Sequence, residues 1–236
     1  MTRQFGDLVK AATQSYAHEW RADYEFVRWK LRMDPVFEAM LKRGLVPDGG
    51  LLLDIGCGLG ALPAMYMAAQ ERYAAGNWPT DWPRPPQNLA IYGLELNPRK
   101  AAVAARALKG GVTIVQGDVR EAALPACTVA VILDVLFYLS PSEQISVLQR
   151  VAQSIGSGGM LIMRECDAAG GWRFQATRLA EKFCCLGRGQ GWYPLHYRPT
   201  AEWIGLLQEL GFSVETLPMS EGTPFSNVLF RATRLA

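Results

Sequence analysis

Uninterrupted apolar runs alternate along this chain with stretches whose apolar residues recur at helical intervals. An apolar run bounded by turn residues is typical of a strand buried on both faces. The runs predict strands at 51–55, 89–95, 112–119, 128–134, 158–165, 212–217 and 224–232. The helical patterns lie at 5–44, 61–72, 99–108, 141–154 and 201–210. This alternation predicts an α/β fold, and the short link between the last two strands predicts a final antiparallel pair.

Composition narrows the class of protein. The chain has 236 residues and is 50% hydrophobic, which fits one α/β domain with length to spare for a lid. A net charge of +2 gives no electrostatic case for nucleic acid. Five cysteines without C-x-x-C spacing favour neither disulfides nor a metal site, and predict a reducing cytoplasm. No apolar run approaches ~18 residues, so no membrane span is expected.

The stretch from Leu51 to Ala61 carries the candidate chemistry. Its apolar strand is followed by alternating glycines at 56, 58 and 60 and then by a helix. Glycines let the backbone turn sharply and approach a ligand, so this corner is suited to a nucleotide. Asp54 precedes the turn, where a carboxylate repels a diphosphate and suits an ammonium or sulfonium. An ordinary buried strand with a tight turn is the structural alternative.

The string D-x-G-x-G-x-G at Asp54–Gly60 resembles motif I of the class I S-adenosylmethionine-dependent methyltransferases. The resemblance covers residues 45–165 by motif and 200–232 by pattern. It implies a doubly wound, Rossmann-like, seven-stranded and mostly parallel sheet with an antiparallel last strand. It also implies S-adenosylmethionine as the cofactor.

Acidic residues also lie at or near the ends of the strands predicted at 89–95, 112–119 and 128–134. Glu95 can accept both ribose hydroxyls of an adenosyl group, although nicotinamide-binding proteins share this feature. In the resembled family, the acid at the position of Asp118 accepts a hydrogen bond from the adenine amino group, and the acid at the position of Asp134 lies near the methionine end of the cofactor. For Asp118, the alternative is an acid that only stabilises a turn. The resemblance assigns the cofactor to Asp54, Gly56, Cys57, Gly58, Gly60, Glu95, Leu96, Asp118, Val119, Asp134 and Val135.

Two segments depart from these patterns. Residues 74–88 carry Trp78, Trp82 and several prolines, and predict a rigid surface loop. This loop is either a contact for a partner or homodimer, or an insertion held by its own aromatic residues. Residues 168–198 are basic and aromatic, which favours either a lid over an acidic or aromatic acceptor or a solvated helix. Arg164 and Asp167 are acceptor-side candidates or members of a local ion pair.

The expected chemistry is in-line transfer of the sulfonium methyl group to a small-molecule acceptor. Catalysis then rests on positioning and desolvation, and only a weakly acidic acceptor such as a hydroxyl needs a general base. His196, His18 and Tyr138 are the candidate bases, with structural roles as the alternative for each histidine. The Asp or Asn, Pro-Pro, aromatic signature of nucleic-acid base methylation does not follow the strand at 128–134, so no nucleic-acid substrate is expected.

We expect one methyltransferase domain over residues 1–236. Within it the sequence predicts an N-terminal helical cap, a cofactor-binding core, a variable lid segment, and a C-terminal helix with a strand pair, at 1–44, 45–165, 166–199 and 200–236. Two other functions stay open. One is an NAD(P)-dependent reductase, and the other is a non-catalytic cofactor-binding scaffold acting through the Trp78/Trp82 loop.

Overall fold

The computed structural model describes residues 2–187 and 194–235, which contain eight α-helices and seven strands. The helices are α1 (Arg3–Gln14), α2 (Arg21–Met33), α3 (Pro35–Lys42), α4 (Ala61–Ala74), α5 (Pro98–Ala107), α6 (Pro141–Ser154), α7 (Trp172–Gly187) and α8 (Thr200–Glu209). The strands are β1 (Gly50–Ile55), β2 (Leu89–Glu95), β3 (Thr113–Gln116), β4 (Cys127–Leu133), β5 (Ile155–Cys166), β6 (Phe212–Pro218) and β7 (Asn227–Arg234). A short 3₁₀ helix, Leu136–Tyr138, follows β4.

The strands form one seven-stranded sheet in the order β3-β2-β1-β4-β5-β7-β6. β1 and β2 pair in parallel, as do β2 and β3, whereas β7 pairs antiparallel with both β5 and β6. The predicted fold class, with its antiparallel last strand, is therefore confirmed. Dinucleotide-binding sheets of the Rossmann type have the order 3-2-1-4-5-6, without an antiparallel strand between the fifth and sixth.

Several element boundaries differ from the sequence prediction for local reasons. The helical pattern predicted over 5–44 is interrupted by turns at 15–20, which no glycine or proline marks in the sequence. β3 ends early because Asp118 Oδ1 accepts the N–H of Arg120 at 2.9 Å and closes an Asx turn. Thr200 directly precedes the helical pattern at 201–210, where a capping residue is expected, but it is the first residue of α8 and its N–H donates to Asp167 Oδ1 at 3.0 Å.

The chain divides into two compact units, Met1–Val129 and Ala130–Ala236, and the boundary lies within β4. In the first unit, α1 buries the positions that share its inner face, Phe5, Leu8, Val9 and Ala12. This 3.6-residue period places α1 against α4, whose first turns are buried on all sides. The predicted division of residues 1–236 into cap, core, lid and C-terminal pair is functional rather than geometric, and it stays a prediction.

The Pro/Trp segment at 74–88 is anchored by its own chain. Trp82 is only 7% exposed, with its ring 6.4 Å from that of Phe5 and 5.6 Å from that of Trp78. Lys42 Nζ lies 5.6 Å from the centre of the same ring, within cation–π range. The insertion is therefore held at Trp82 by its own chain, as the second alternative expects, whereas Trp78 is half-buried and a partner or homodimer contact stays a prediction.

In the second unit, β5, β7 and β6 form an antiparallel ladder, and α6 runs directly into β5. The predicted lid contains α7, and its residues 188–193, with Trp192 and Tyr193, lie outside the described part of the chain. Among residues 2–187 and 194–235, no helix combines the length and the apolar character that crossing a membrane requires.

Candidate functional site

The glycine turn between β1 and α4 is fixed by backbone hydrogen bonds to β2. The N–H groups of Gly56 and Cys57 both donate to the carbonyl of Leu94, at 2.8 and 3.1 Å. The N–H of Gly58 donates to Glu95 Oε2 at 2.8 Å. The turn is therefore held rigidly at the carboxyl edge of β1 and β2, where parallel sheets bind ligands.

The glycines of the turn serve different purposes. All three have left-handed backbone angles, with φ of +72°, +60° and +82° at Gly56, Gly58 and Gly60. A Cβ added to Gly58 would meet no atom within 4 Å, so this position faces open space that a ligand can fill. A Cβ on Gly60 would lie 2.6 Å from Leu108 Cδ1, so Gly60 is required by packing within the protein.

Asp54 lies at the end of β1 and is 4% exposed. Its Oδ2 is buried and has no hydrogen-bond partner among the described residues. Burial, and secondarily the nearby charge of Glu95, raise the pKa of Asp54 from 3.8 to about 8. An isolated buried carboxylate is unfavourable, so this position is suited to a cationic group that would restore its charge.

Glu95, at the end of β2, is held by two backbone donors. Its Oε2 accepts from Gly58, and its Oε1 accepts from the N–H of Asn97 at 2.8 Å. Each carboxylate oxygen keeps a further lone pair, so this fixed carboxylate can still accept from ribose hydroxyls. The neighbouring Leu96 exposes an apolar side chain beside it.

Asp118 is engaged by Arg120 in this structure. The Arg120 Nε lies 3.0 Å from both Asp118 oxygens, and Nη2 lies 2.5 Å from Oδ2. These hydrogen bonds to Arg120 lower the pKa of Asp118, so the group is an acceptor at neutral pH. Val119 beside it is buried. The adenine contact predicted for Asp118 stays a prediction, and it requires a lone pair that Arg120 leaves unused.

Cys57 and Tyr16 support the turn from inside the first unit. Cys57 Sγ packs over Gly93 of β2, where an added Cβ would lie 2.9 Å from the sulfur. Tyr16 is fully buried, and its Oη donates to the carbonyl of Leu59 at 2.5 Å. Sequence analysis missed Tyr16 because a tyrosine in a helical pattern is indistinguishable from an ordinary core residue.

In the second unit, β5 holds the residues that follow β4. Arg164, only 2% exposed, pairs with Asp134 through Nε–Oδ1 at 2.9 Å and through Nη2–Oδ2. Asp134 has a φ of +60°, an unusual conformation for a residue other than glycine. Arg164 is therefore in an ion pair, but with an acid 30 residues away in the chain instead of in the local pair that the sequence analysis gave as one alternative.

Glu165 is a second buried acid that sequence analysis did not assign. Its Oε1 accepts the N–H of Leu136 at 3.0 Å, which fixes the backbone just after Val135. Its Oε2 has no partner among the described residues. Burial, and then the charge of Asp134, raise the pKa of Glu165 well above its usual range. The only sequence signal was its position at the end of a strand.

The candidate bases occupy different environments. His18 is exposed in the turn between α1 and α2. His196 is half-buried, and its backbone N–H donates to the carbonyl of Phe137 at 2.8 Å, which places it beside Tyr138. Tyr138 Oη lies 3.4 Å from Glu181 Oε2. The structure thus brings together His196 and Tyr138, whereas His18 belongs to the other unit.

Gln144 of α6 connects this region and was also missed. It is fully buried, and its Nε2 donates to the carbonyls of Leu136 and His196, at 3.1 and 2.8 Å. Its Oε1 accepts from Arg198 Nε at 2.7 Å. Around this point the aromatic rings of Phe137, Tyr138, Phe174 and Tyr197 lie within 4.5 to 5.4 Å of one another in successive pairs. In the described residues no group of three or more His, Cys, Asp or Glu side chains could hold a metal ion.

Comparison with solved structures gives the class of fold. Human N-acetylserotonin methyltransferase in complex with S-adenosylmethionine aligns with a TM-score of 0.64 and 14% identity, over 99% of this chain and 59% of that one. Magnesium protoporphyrin IX methyltransferase from Synechocystis, with bound S-adenosylhomocysteine, aligns with a TM-score of 0.59 and 19% identity, over 94% of this chain and 91% of that one.

An O-methyltransferase from neocarzinostatin biosynthesis, in complex with S-adenosylmethionine and 2-hydroxy-5-methyl naphthoic acid, aligns with a TM-score of 0.61 and 19% identity. The alignment covers 97% of this chain and 60% of that one. The chain thus spans 59% and 60% of the lengths of the first and third of these proteins. No family model and no curated protein matches the sequence at a significant level. The chain has the fold of the class I S-adenosylmethionine-dependent methyltransferases.

Proposed function

We propose that this chain is an S-adenosylmethionine-dependent methyltransferase that acts on a small-molecule acceptor. The observation that carries the proposal is Asp54, whose buried Oδ2 has no partner among the described residues. A diphosphate at the neighbouring glycine turn would find no opposite charge at Asp54, whereas an ammonium or sulfonium would favour the ionised carboxylate and pair with it.

The residues of the first unit fit the cofactor. Gly58 has open space where a side chain would project, so the backbone can approach the amino acid and ribose portions. Glu95 is oriented by two backbone donors and would accept from the ribose hydroxyls. Asp54 would bind the ammonium group, Leu96 and Val119 would contact the adenine, and Asp118 would accept from its amino group.

In the second unit, Arg164 pairs with the Asp134 side chain, and Glu165 accepts the N–H of Leu136. We assign Asp134 and Val135, which these contacts flank, to the methionine end. S-Adenosylmethionine supplies an activated methyl group when it is bound. The chain's own residues then have to orient the acceptor and exclude water, which supplies up to ~7–11 kcal/mol in well-oriented systems.

The acceptor is proposed to be planar and aromatic. The second unit clusters Phe137, Tyr138, Phe174 and Tyr197 next to the residues that follow β4, and such rings bind flat apolar molecules. The O-methyltransferase complex with a hydroxylated naphthoic acid agrees with this class. If the acceptor is a hydroxyl group, His196 or Tyr138 would take up its proton, and we propose no such role for the exposed His18.

Two features oppose the alternatives. β7 lies antiparallel between β5 and β6, unlike the sheet of nicotinamide-dependent reductases. The scaffold hypothesis needs exposed aromatic residues at 74–88, and Trp82 is buried. We further propose a reducing cytoplasm as the compartment, because Cys57, Cys127 and Cys166 are buried and form no disulfide among the described residues.

Calorimetry with S-adenosylmethionine, S-adenosylhomocysteine and NADPH tests the cofactor. We expect the first two to bind and NADPH not to bind. Incubation with methyl-labelled donor and a panel of hydroxylated aromatic acids then tests turnover. Tyr138→Phe is expected to lower kcat without changing cofactor affinity, while the matched change Tyr73→Phe, at an exposed position of α4, alters neither.

Each alternative predicts a distinct result in these experiments. Binding of NADPH without S-adenosylmethionine would replace the proposal with the reductase. Cofactor binding without methyl transfer to any acceptor in the panel or in a metabolite extract would favour the scaffold.

A further inference from the structure

The outer face of α2 is apolar although it points away from the protein. Val27 and Leu31 are fully buried and attach the helix to the first unit. On the opposite side, Phe26, Trp29 and Met33 fall on one stripe at helical spacing, and are 42%, 62% and 59% exposed. We refer to these three residues as the α2 stripe.

Exposed apolar residues are ordinary when they are scattered singly over a surface. Here they are concentrated. Among the described residues nine large apolar side chains are exposed, and four of them, Trp20 and the α2 stripe, lie within residues 20–33. Packing of α2 against its own unit does not require these side chains, because its inner face already supplies Val27 and Leu31.

Positive charge borders the stripe. At 100° per residue, Arg21, Arg28 and Arg32 lie together on one flank of the helix, and Lys30 lies on the other. Arg28 is paired with Glu25 at 3.1 Å, and Lys30 with Asp34 at 3.0 Å. Arg21 and Arg32 are exposed and have no ion-pair partner among the described residues. The face therefore combines exposed aromatic residues with uncompensated positive charge.

We propose that the α2 stripe docks on an anionic phospholipid surface. Helices with arginine and lysine beside exposed tryptophan and phenylalanine lie in the plane of the membrane interface, where indole rings reach the headgroup level. Arg21 and Arg32 would contact lipid phosphates. The proposal does not depend on the methyltransferase function, because it concerns a surface outside the glycine turn.

A second copy of the chain is a poorer occupant of this face. If two copies pair through α2 about a two-fold axis, the helices run either antiparallel or parallel. An antiparallel pair places Arg21 and Arg32 on the side of the interface where the same residues of the other copy lie, and a parallel pair places them beside the flank that carries Lys30. Like charges opposed in this way are destabilising, whereas a phosphate surface is complementary to them.

Vesicle co-sedimentation of the full chain tests the proposal. We expect binding to phosphatidylcholine vesicles containing about one-third phosphatidylglycerol and not to pure phosphatidylcholine. Salt at about 1 M, where the screening length is ~3 Å, should release the protein. The double variant Phe26→Ser/Trp29→Ser should bind at least about tenfold more weakly. Arg21→Gln/Arg32→Gln keeps the stripe, and should bind about 25-fold more weakly at about fivefold per arginine.

Trp172→Ser is the matched control. Trp172 is 68% exposed on α7, outside the α2 stripe, so this variant should bind vesicles like the wild type. Three outcomes would overturn the proposal. The first is no binding of the wild type to anionic vesicles, and the second is an equal loss in Trp172→Ser. The third is a wild-type dimer that Phe26→Ser/Trp29→Ser converts to a monomer without vesicle binding by either, which would assign the face to a second copy.

Discussion

Replacing Asp54 with asparagine should change stability and cofactor affinity in opposite directions. In the ligand-free protein, burial and Glu95 raise the pKa of Asp54 from 3.8 to about 8. Between these values the folded protein keeps a proton that the unfolded chain has released. The free energy of unfolding therefore falls as pH rises through this range, and this contribution stays constant above about pH 8.

The size of the effect follows from the same two values. Between pH 3.8 and about 8, each pH unit lowers the free energy of unfolding by ~1.4 kcal/mol through Asp54 alone. From about pH 5 to about pH 8 the wild type should lose up to ~4 kcal/mol that Asp54→Asn retains. This comparison uses the pH dependence of the difference between the two proteins, so packing changes caused by the amide cancel.

Cofactor affinity depends on pH in the opposite direction to stability. An ammonium group beside Asp54 favours the ionised carboxylate and lowers its pKa. Binding between about pH 6 and pH 7 should then release a proton and tighten as pH rises. The side-chain amide of asparagine cannot ionise, so Asp54→Asn should bind S-adenosylmethionine more weakly by ~1.5–3 kcal/mol, the value of a charged hydrogen bond, and without proton release.

Urea unfolding at a series of pH values measures the stability difference, and calorimetry in buffers of different ionisation enthalpy counts the protons. Asp118→Asn is the control for stability, because hydrogen bonds to Arg120 lower the pKa of Asp118 and keep it ionised throughout this range. The reasoning is refuted if Asp54→Asn and the wild type show the same pH slope, or if both bind the cofactor equally tightly.

Two further substitutions, each with a matched control, test the glycine turn and its support. Gly58→Ala should weaken cofactor binding at least about tenfold, because its methyl group enters the open space of the site. Gly76→Ala, with a similar φ of +71° far from the turn, should lose comparable stability in a thermal melt while the affinity stays unchanged. Tyr16→Phe should cost ~1–3 kcal/mol of stability and weaken binding, since the Leu59 carbonyl loses its donor. Tyr66→Phe should be neutral or stabilising, because that hydroxyl is buried without a partner among the described residues; an equal loss in both tyrosine variants would contradict the role given to Tyr16.

Much of the fold was predictable because its signals are local. The run Leu89–Glu95 is apolar and ends in an acid, and it coincides with β2. Ser140 and Glu143 have the spacing of a capping box in the sequence, and this capping box is present at the start of α6. Periodicity and cap chemistry act over a few residues, so they can be recognised without the rest of the chain.

The candidate cofactor residues were predictable for a similar reason. Asp54 and Glu95 lie at the ends of β1 and β2, and Gly58 lies in the turn after β1. Parallel strands present their carboxyl ends at one edge of a sheet. Arg164 shows the limit of this reasoning. Its position beside Glu165 indicated a charged strand end, but its partner Asp134 follows another strand, β4.

The sequence by itself therefore determined the order and type of the elements, and with them the acids and glycines that meet at the edge of the sheet. Only the tertiary structure decided which of these side chains are held and by what. Tyr16 reaches the Leu59 carbonyl from 43 residues away, and Trp82 is buried against Phe5. Such contacts depend on how distant segments pack, and a hydrophobic pattern carries no information about which partner a buried polar or aromatic group will meet.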